Sequence, residues 1–206
     1  EAEISFTGMP IDANADIPLA PGWNLIAYFP DFDLDASAPD YYVLSPIIDD
    51  VVLAKDYTGN FMVPEHRFSN MNPWTAGQGY QVKIDSDDPI VLNYPEEPEQ
   101  LAASGMSTLE IGQWGSVVNT GENMSILINH IVGLIPDVDY QVAAFATSGI
   151  LVGIGTVKEN RCGISVWGDD ESTETKDGLI EGEIINFKIW DDKNTIELEL
   201  SGVQTI

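Results

Sequence analysis

The sequence predicts an all-β chain with a minor helix, arranged as two tandem β-sandwich-like domains. Three features predict this. Apolar residues recur at alternate positions in short runs, the period-two pattern of half-buried strands, and helical periodicity is almost absent. Clusters of Gly, Pro, Asn and Asp break the runs at short intervals, as turns require. NYPEEPEQLAASG, residues 93–105, carries prolines and acids with little to bury, the composition of a semi-rigid linker. Residues 1–97 and 98–206 are therefore expected to fold as separate units.

Taken in order, Ile4 to Phe6 reads as a short strand, followed by a polar stretch through Asp12 and Asp16. In GWNLIAYF, Trp23, Leu25, Ala27 and Phe29 alternate with Asn24, Ile26 and Tyr28, which predicts a strand with its aromatic bulk facing inward. Asp40 to Ile48 is expected to hold a short helix that Pro46 limits. Asp50 to Asp56 and Phe61 to Val63 are strands around a turn at Tyr57 to Asn60, with Gly59 free to take positive φ. Tyr80, Val82 and Ile84 alternate with Gln81, Lys83 and Asp85, and a turn leads into Ile90 to Leu92.

The second half opens with SILINHI. A hairpin follows, Tyr140 to Ala146 and Ile150 to Val157 around Thr147-Ser148-Gly149. Gly153 and Gly155 in its returning strand point to a bulge or a close backbone approach. From Gly163 to Asp191 two alternating strands, with Ile164 and Val166 in one and Ile185, Phe187 and Ile189 in the other, flank a loop crowded with carboxylates. Ile196, Leu198 and Leu200 give the last strand.

Charge narrows the function classes. The chain has 34 Asp and Glu against 8 Lys and Arg, a formal net charge of −26. Phosphate backbones and anionic lipid surfaces repel such a polyanion, so nucleic acid is not expected as a partner. No apolar run reaches the length of a membrane span, and membrane insertion is not expected. The single cysteine, Cys162, excludes an internal disulfide framework, and its place in CGISVW predicts a small buried hydrophobe. Strand-like text near both ends suggests one portion of a longer chain, and export would imply that a targeting segment has been removed.

Two groups of motifs look familiar. PLAPGWNLIAYF, VVLAKDYTGNF and WTAGQGYQVKI, in that order, resemble a recurrent module of secreted and surface proteins of bacteria and archaea. NTGENMSILI, AAFATSGILVGIG and VWGDDESTETKDGLIEGEIINFKIWD resemble a second module that often stands beside the first in large exported proteins of the Bacteroidetes type. The resemblance implies a non-catalytic structural or adhesive module of a secreted, cell-surface protein, with a filament protomer as one form. It implies other protein subunits or copies of the chain as partners, and it supplies no catalytic residues to carry over. One departure is PDVDYQVAAF, where such modules commonly have an acidic Gly-Asp-Glu turn.

The residues themselves offer little for catalysis. A hydrolytic triad needs a histidine base beside an activated nucleophile, and His66 in PEHRF and His130 in INHIV read as surface or packing residues. Gly77-Gln78-Gly79 and Gly153-Ile154-Gly155 lack the spacing of a phosphate loop. Calcium, which takes six to eight oxygen ligands, is the candidate ion. Asp31, Asp33 and Asp35 mimic the first ligands of an EF-hand loop, but Ala36 and Tyr42 stand where Gly and Glu belong, leaving only an irregular site. Asp169, Asp170, Glu171, Glu174 and Asp177 form the other candidate set, against the plainer reading of a solvated loop with Asp caps and Gly turns. Extracellular polysaccharide is the alternative partner. Trp74 and Trp114, in loop-like text, are the candidate glycan platforms, whereas Trp23, Trp167 and Trp190 lie in strands and are expected in the core.

Overall fold

The computed structural model describes residues 8–9, 11–97, 114–191 and a strand at 195–198. The strand predicted at Ile4 to Phe6, much of the linker and Leu200 lie outside the described residues. The fold is all-β, with a 3-10 helix at Tyr42–Asp50 and a shorter one at Pro64–His66. In the first part the strands are β1 (Ile17–Leu19), β2 (Gly22–Ala27), β3 (Val51–Lys55), β4 (Phe61–Val63), β5 (Phe68–Ser69), β6 (Gly79–Ile84) and β7 (Ile90–Leu92). The second contributes β8 (Asn123–Ile128), β9 (Gln141–Phe145), β10 (Leu151–Lys158), β11 (Arg161–Trp167), β12 (Asn186–Trp190) and β13 (Thr195–Leu198). The sheets run β2-β6-β3-β4-β5, β1-β7, and β13-β12-β9-β10-β11-β8, so none mixes strands from the two parts.

The first core lies beneath the five-stranded sheet. Ile26, Ala54, Tyr80, Val82 and Ile84 from the sheet meet Val43, Leu44 and Ile47 of the 3-10 helix, with Leu19 and Leu92 from the β1-β7 pair. Pro46 sits inside that helix, where tight i→i+3 turns replace the regular α-helix that proline breaks. The β1-β7 pair was not anticipated, because Pro18 interrupts a run too short to show alternation. Tyr94, read as linker, is 2% exposed, and its hydroxyl donates to the Ala27 carbonyl at 3.0 Å.

The expected orientation of β2 is reversed. Trp23 is 54% and Leu25 79% exposed, while Ile26 and Tyr28 are buried. Directly opposed residues of an antiparallel pair share a face, and Ile26 opposes Tyr80 while Trp23 opposes Lys83 and Leu25 opposes Gln81. The alternation in β6 therefore sets the direction: its Tyr80 and Val82 go inward and carry Ile26 and Asn24 with them.

In the second part β11 lies across β9 and β10 to enclose Val142, Ala144, Val152, Cys162, Ile164, Val166, Phe187 and Ile189. Glu159 and Asn160, with φ of 51° and 61°, turn β10 into β11 as a two-residue hairpin whose twist matches the strands. The register slips between Leu151 and Gly153, and a Cβ at Gly155 would lie 2.5 Å from the Gly163 carbonyl. Both meanings of the predicted glycines, bulge and close approach, are thus present.

The outer faces of the two parts pack together. Leu53, Phe61, Val63 and Phe68 form a buried cluster covered by Val52 and by Leu127 of β8. Around it, side chains reach across the seam to backbone. Ser165 Oγ donates to the Gly59 carbonyl at 2.5 Å, Asn119 Nδ2 to that of Tyr57 at 2.9 Å, and Asn70 Nδ2 to that of Gly163 at 3.5 Å.

Candidate functional site

The carboxylates of the long loop are occupied by the loop itself. Asp169 Oδ1 accepts from the Asp177 amide at 2.8 Å and the Gly178 amide at 3.2 Å, and Asp177 Oδ1 accepts from the Asp170 amide at 3.1 Å. Asp170 Oδ1 takes the Ser172 amide at 2.8 Å, and the Ser172 hydroxyl together with that amide holds its carboxyl below the usual range. Glu171 and Glu174 are exposed. Asp35 likewise turns onto Ser37, accepting from its amide at 3.0 Å and its hydroxyl at 2.6 Å, apart from Asp31 and Asp33. Among the described residues no three Asp, Glu, His or Cys side chains converge as metal ligands. Asp169, Asp170 and Asp177 share one turn network, but lone pairs that would face a cation serve its amides instead.

Trp74 is not a glycan platform. It is 0% exposed, stacked on Tyr80 with ring centroids 3.8 Å apart and edge-on to Tyr28 at 6.2 Å. An isolated bridge to Leu34, with bonds of 2.8 and 3.2 Å, draws its loop into the core. Trp114 is half-buried, its ring edge-on to Phe145 at 5.5 Å and its indole N–H enclosed without a partner. The exposed tryptophan is Trp23, with Lys55 Nζ 5.3 Å from its ring centroid.

Cys162 is fully buried, and burial pushes its thiol up to about 12, far from nucleophilic thiolate chemistry. His130 is exposed and His66 half-buried, and neither side chain is bonded to a serine, threonine or cysteine among the described residues.

What the fold does assemble is a cleft along the seam, with two lobes that share Asn60, Asn70, Ile154 and Gly163. Each lobe has a volume of about 370 Å³. The first adds Thr58, Asn119, Ser165 and Trp167. The second adds Ser69, Asn72, Thr156, Arg67, Lys158 and Arg161, with Asp35 and Glu159 as its carboxylates. Arg161 spans the seam: Nη1 donates to the Arg67 carbonyl at 2.9 Å, Nη2 to that of His66, and the guanidinium lies 5.4 Å from the Phe68 ring centroid. Arg67, at φ 50°, is a non-glycine residue in the left-handed region, a conformation that persists only where its surroundings impose it. Here the Arg67 amide closes the short 3-10 helix on the Pro64 carbonyl at 2.9 Å, and Arg161 holds the adjoining carbonyls from the other part of the chain.

No family model, curated protein or solved structure matches this chain. The sites must therefore be read from chemistry alone.

Sequence reading missed this cleft. Its walls come mainly from 58–73 and 154–167, with Asp35 and Asn119 from elsewhere in the chain, and nothing in any of these segments signals the others. The one available hint was charge: in a chain with 8 lysines and arginines, Lys55, Lys83, Arg67, Lys158 and Arg161 all lie on the outer sheet face or beside the seam.

Proposed function

We propose that this chain is a non-catalytic structural and adhesive module of an exported surface protein, associating with protein subunits through the outer face of β2. The observation that carries the reading is Trp23 and Leu25, 54% and 79% exposed, on a strand that ends its sheet with β6 on one side only. An edge strand offers backbone groups to a neighbour, and adjacent exposed apolar side chains give that neighbour area to bury. The interlocked seam supports a structural role, since it joins the two sheet systems through both apolar packing and hydrogen bonds. Strongly acidic surfaces elsewhere keep copies apart except where this face is presented.

Light scattering of the full chain over a concentration series tests the proposal. The wild type is expected to gain mass with concentration, and Trp23→Ser with Leu25→Ser to remain monomeric. A wild type that stays monomeric at every concentration, alone and with candidate subunits, removes the reading. Glycan binding is the second reading, favoured by one observation: Trp23 is exposed beside Lys83 and Gln81, an aromatic surface with polar groups at its rim. Pull-down on insoluble polysaccharide with Trp23→Ala separates the two.

A further inference from the structure

We propose that the seam cleft binds a small acidic saccharide, one or two sugar rings carrying a carboxylate or sulfate. This site is distinct from the β2 face. Its second lobe sets Arg67, Lys158 and Arg161 against Asp35 and Glu159, a local excess of positive charge in a chain of net charge −26. Neither Arg67 nor Lys158 is within ion-pair distance of a carboxylate among the described residues. Asp35 is engaged with Ser37, and Glu159 sits at the exposed hairpin tip with φ 51°. Cations without a carboxylate partner among the described residues are unexpected on so acidic a protein. Here they flank a hollow.

The remaining lining is the chemistry that hydroxyl-rich ligands need. Asn72 makes no hydrogen bond among the described residues, and Asn60, Ser69 and Thr156 stand near it around the same lobe. The Thr156 hydroxyl lies in the same wall, enclosed and without a hydrogen-bond partner among the described residues. Size argues against a polymer threading through. About 370 Å³ per lobe lies at the lower end of ligand sites and suits a mono- or disaccharide. Long-range repulsion from the acidic surface also favours a ligand with few charges, since every additional anion pays that field while the lobe offers only local compensation. The arginine bridge from Arg161 to the His66 and Arg67 carbonyls fixes the backbone of the lip on which Arg67 stands.

The test is an NMR titration of the full chain with digalacturonate, a sulfated disaccharide and neutral cellobiose, each up to 10 mM. Shifts are expected at Asn70, Asn72 and Thr156 with one or both acidic sugars, weakening with added salt; the arm that binds identifies the anion. Arg67→Gln and Lys158→Gln, whose side chains take no part in the seam hydrogen bonds, should each lower affinity about tenfold while leaving the melting temperature unchanged. Trp23→Ser with Leu25→Ser should bind as wild type, which keeps this result separate from the association assay. Equal binding of cellobiose, stronger binding of an acidic tetrapeptide, indifference to both Gln variants, or no shift at 10 mM would each refute the assignment.

Discussion

Gly163 shows how much one missing side chain decides. A Cβ there would lie 2.5 Å from the Phe68 ring and 3.0 Å from that of Phe61, inside any tolerated contact, and both rings belong to the buried cluster of the seam. Gly163→Ala is expected to cost about 1–3 kcal/mol through overpacking, read as a fall in the urea midpoint, with Gly79→Ala, where a Cβ meets only an ordinary contact at 3.8 Å, as a reference. A midpoint unchanged beyond that reference would mean that the two parts do not press together at this point. Trp23 and Trp74 carry the complementary lesson. Both are indoles, but the strand tryptophan is outside and the loop tryptophan inside, because side-chain direction follows cross-strand partners rather than local text.

At the scale of the element, the loop from Gly168 to Glu183 was legible as turns and acids, and its internal bonding is what Asp-rich turns provide. Its far end is held by Glu183, whose Oε1 accepts from the Thr147 amide at 3.0 Å and hydroxyl at 2.5 Å, while Oε2 takes Lys176. The Lys176 ammonium and the Thr147 hydroxyl hold its carboxyl down to about 2. A carboxyl lowered on folding stabilises above its unfolded value, about 4.3, and loses that contribution as pH falls through about 2. Because the loop it anchors is exposed, the effect on global stability is small. The clear signature is an NMR titration of the Thr147 and Ile180 amides with a midpoint near the folded value. Lys176→Ala should move that midpoint upward; a wild-type midpoint already at about 4.3 would contradict the bonding described.

For the whole molecule the decisive feature is the seam. Arg161→Ala removes two charge-assisted bonds to backbone carbonyls and a contact with Phe68, which should cost on the order of 2 kcal/mol. Denaturation followed by Trp fluorescence should then separate into two transitions, as the coupling between the two cores weakens. A variant that unfolds in one transition with an unshifted midpoint would show that Arg161 does not join the parts.

By itself the sequence determined most of the strand plan, though not β1 or β5. Period-two runs such as Tyr80-Val82-Ile84 and Ile164-Val166, the turn at Gly59 and the paired glycines at 153 and 155 report on interactions between near neighbours, which local composition encodes. Only the tertiary structure decided which face of β2 is buried, where Trp74 goes, how Asp169 and Asp177 spend their oxygens, and that Arg67 meets Arg161. Those outcomes depend on pairings between residues far apart in the chain, and contact energies that arise only after strands pair leave no mark on either segment alone.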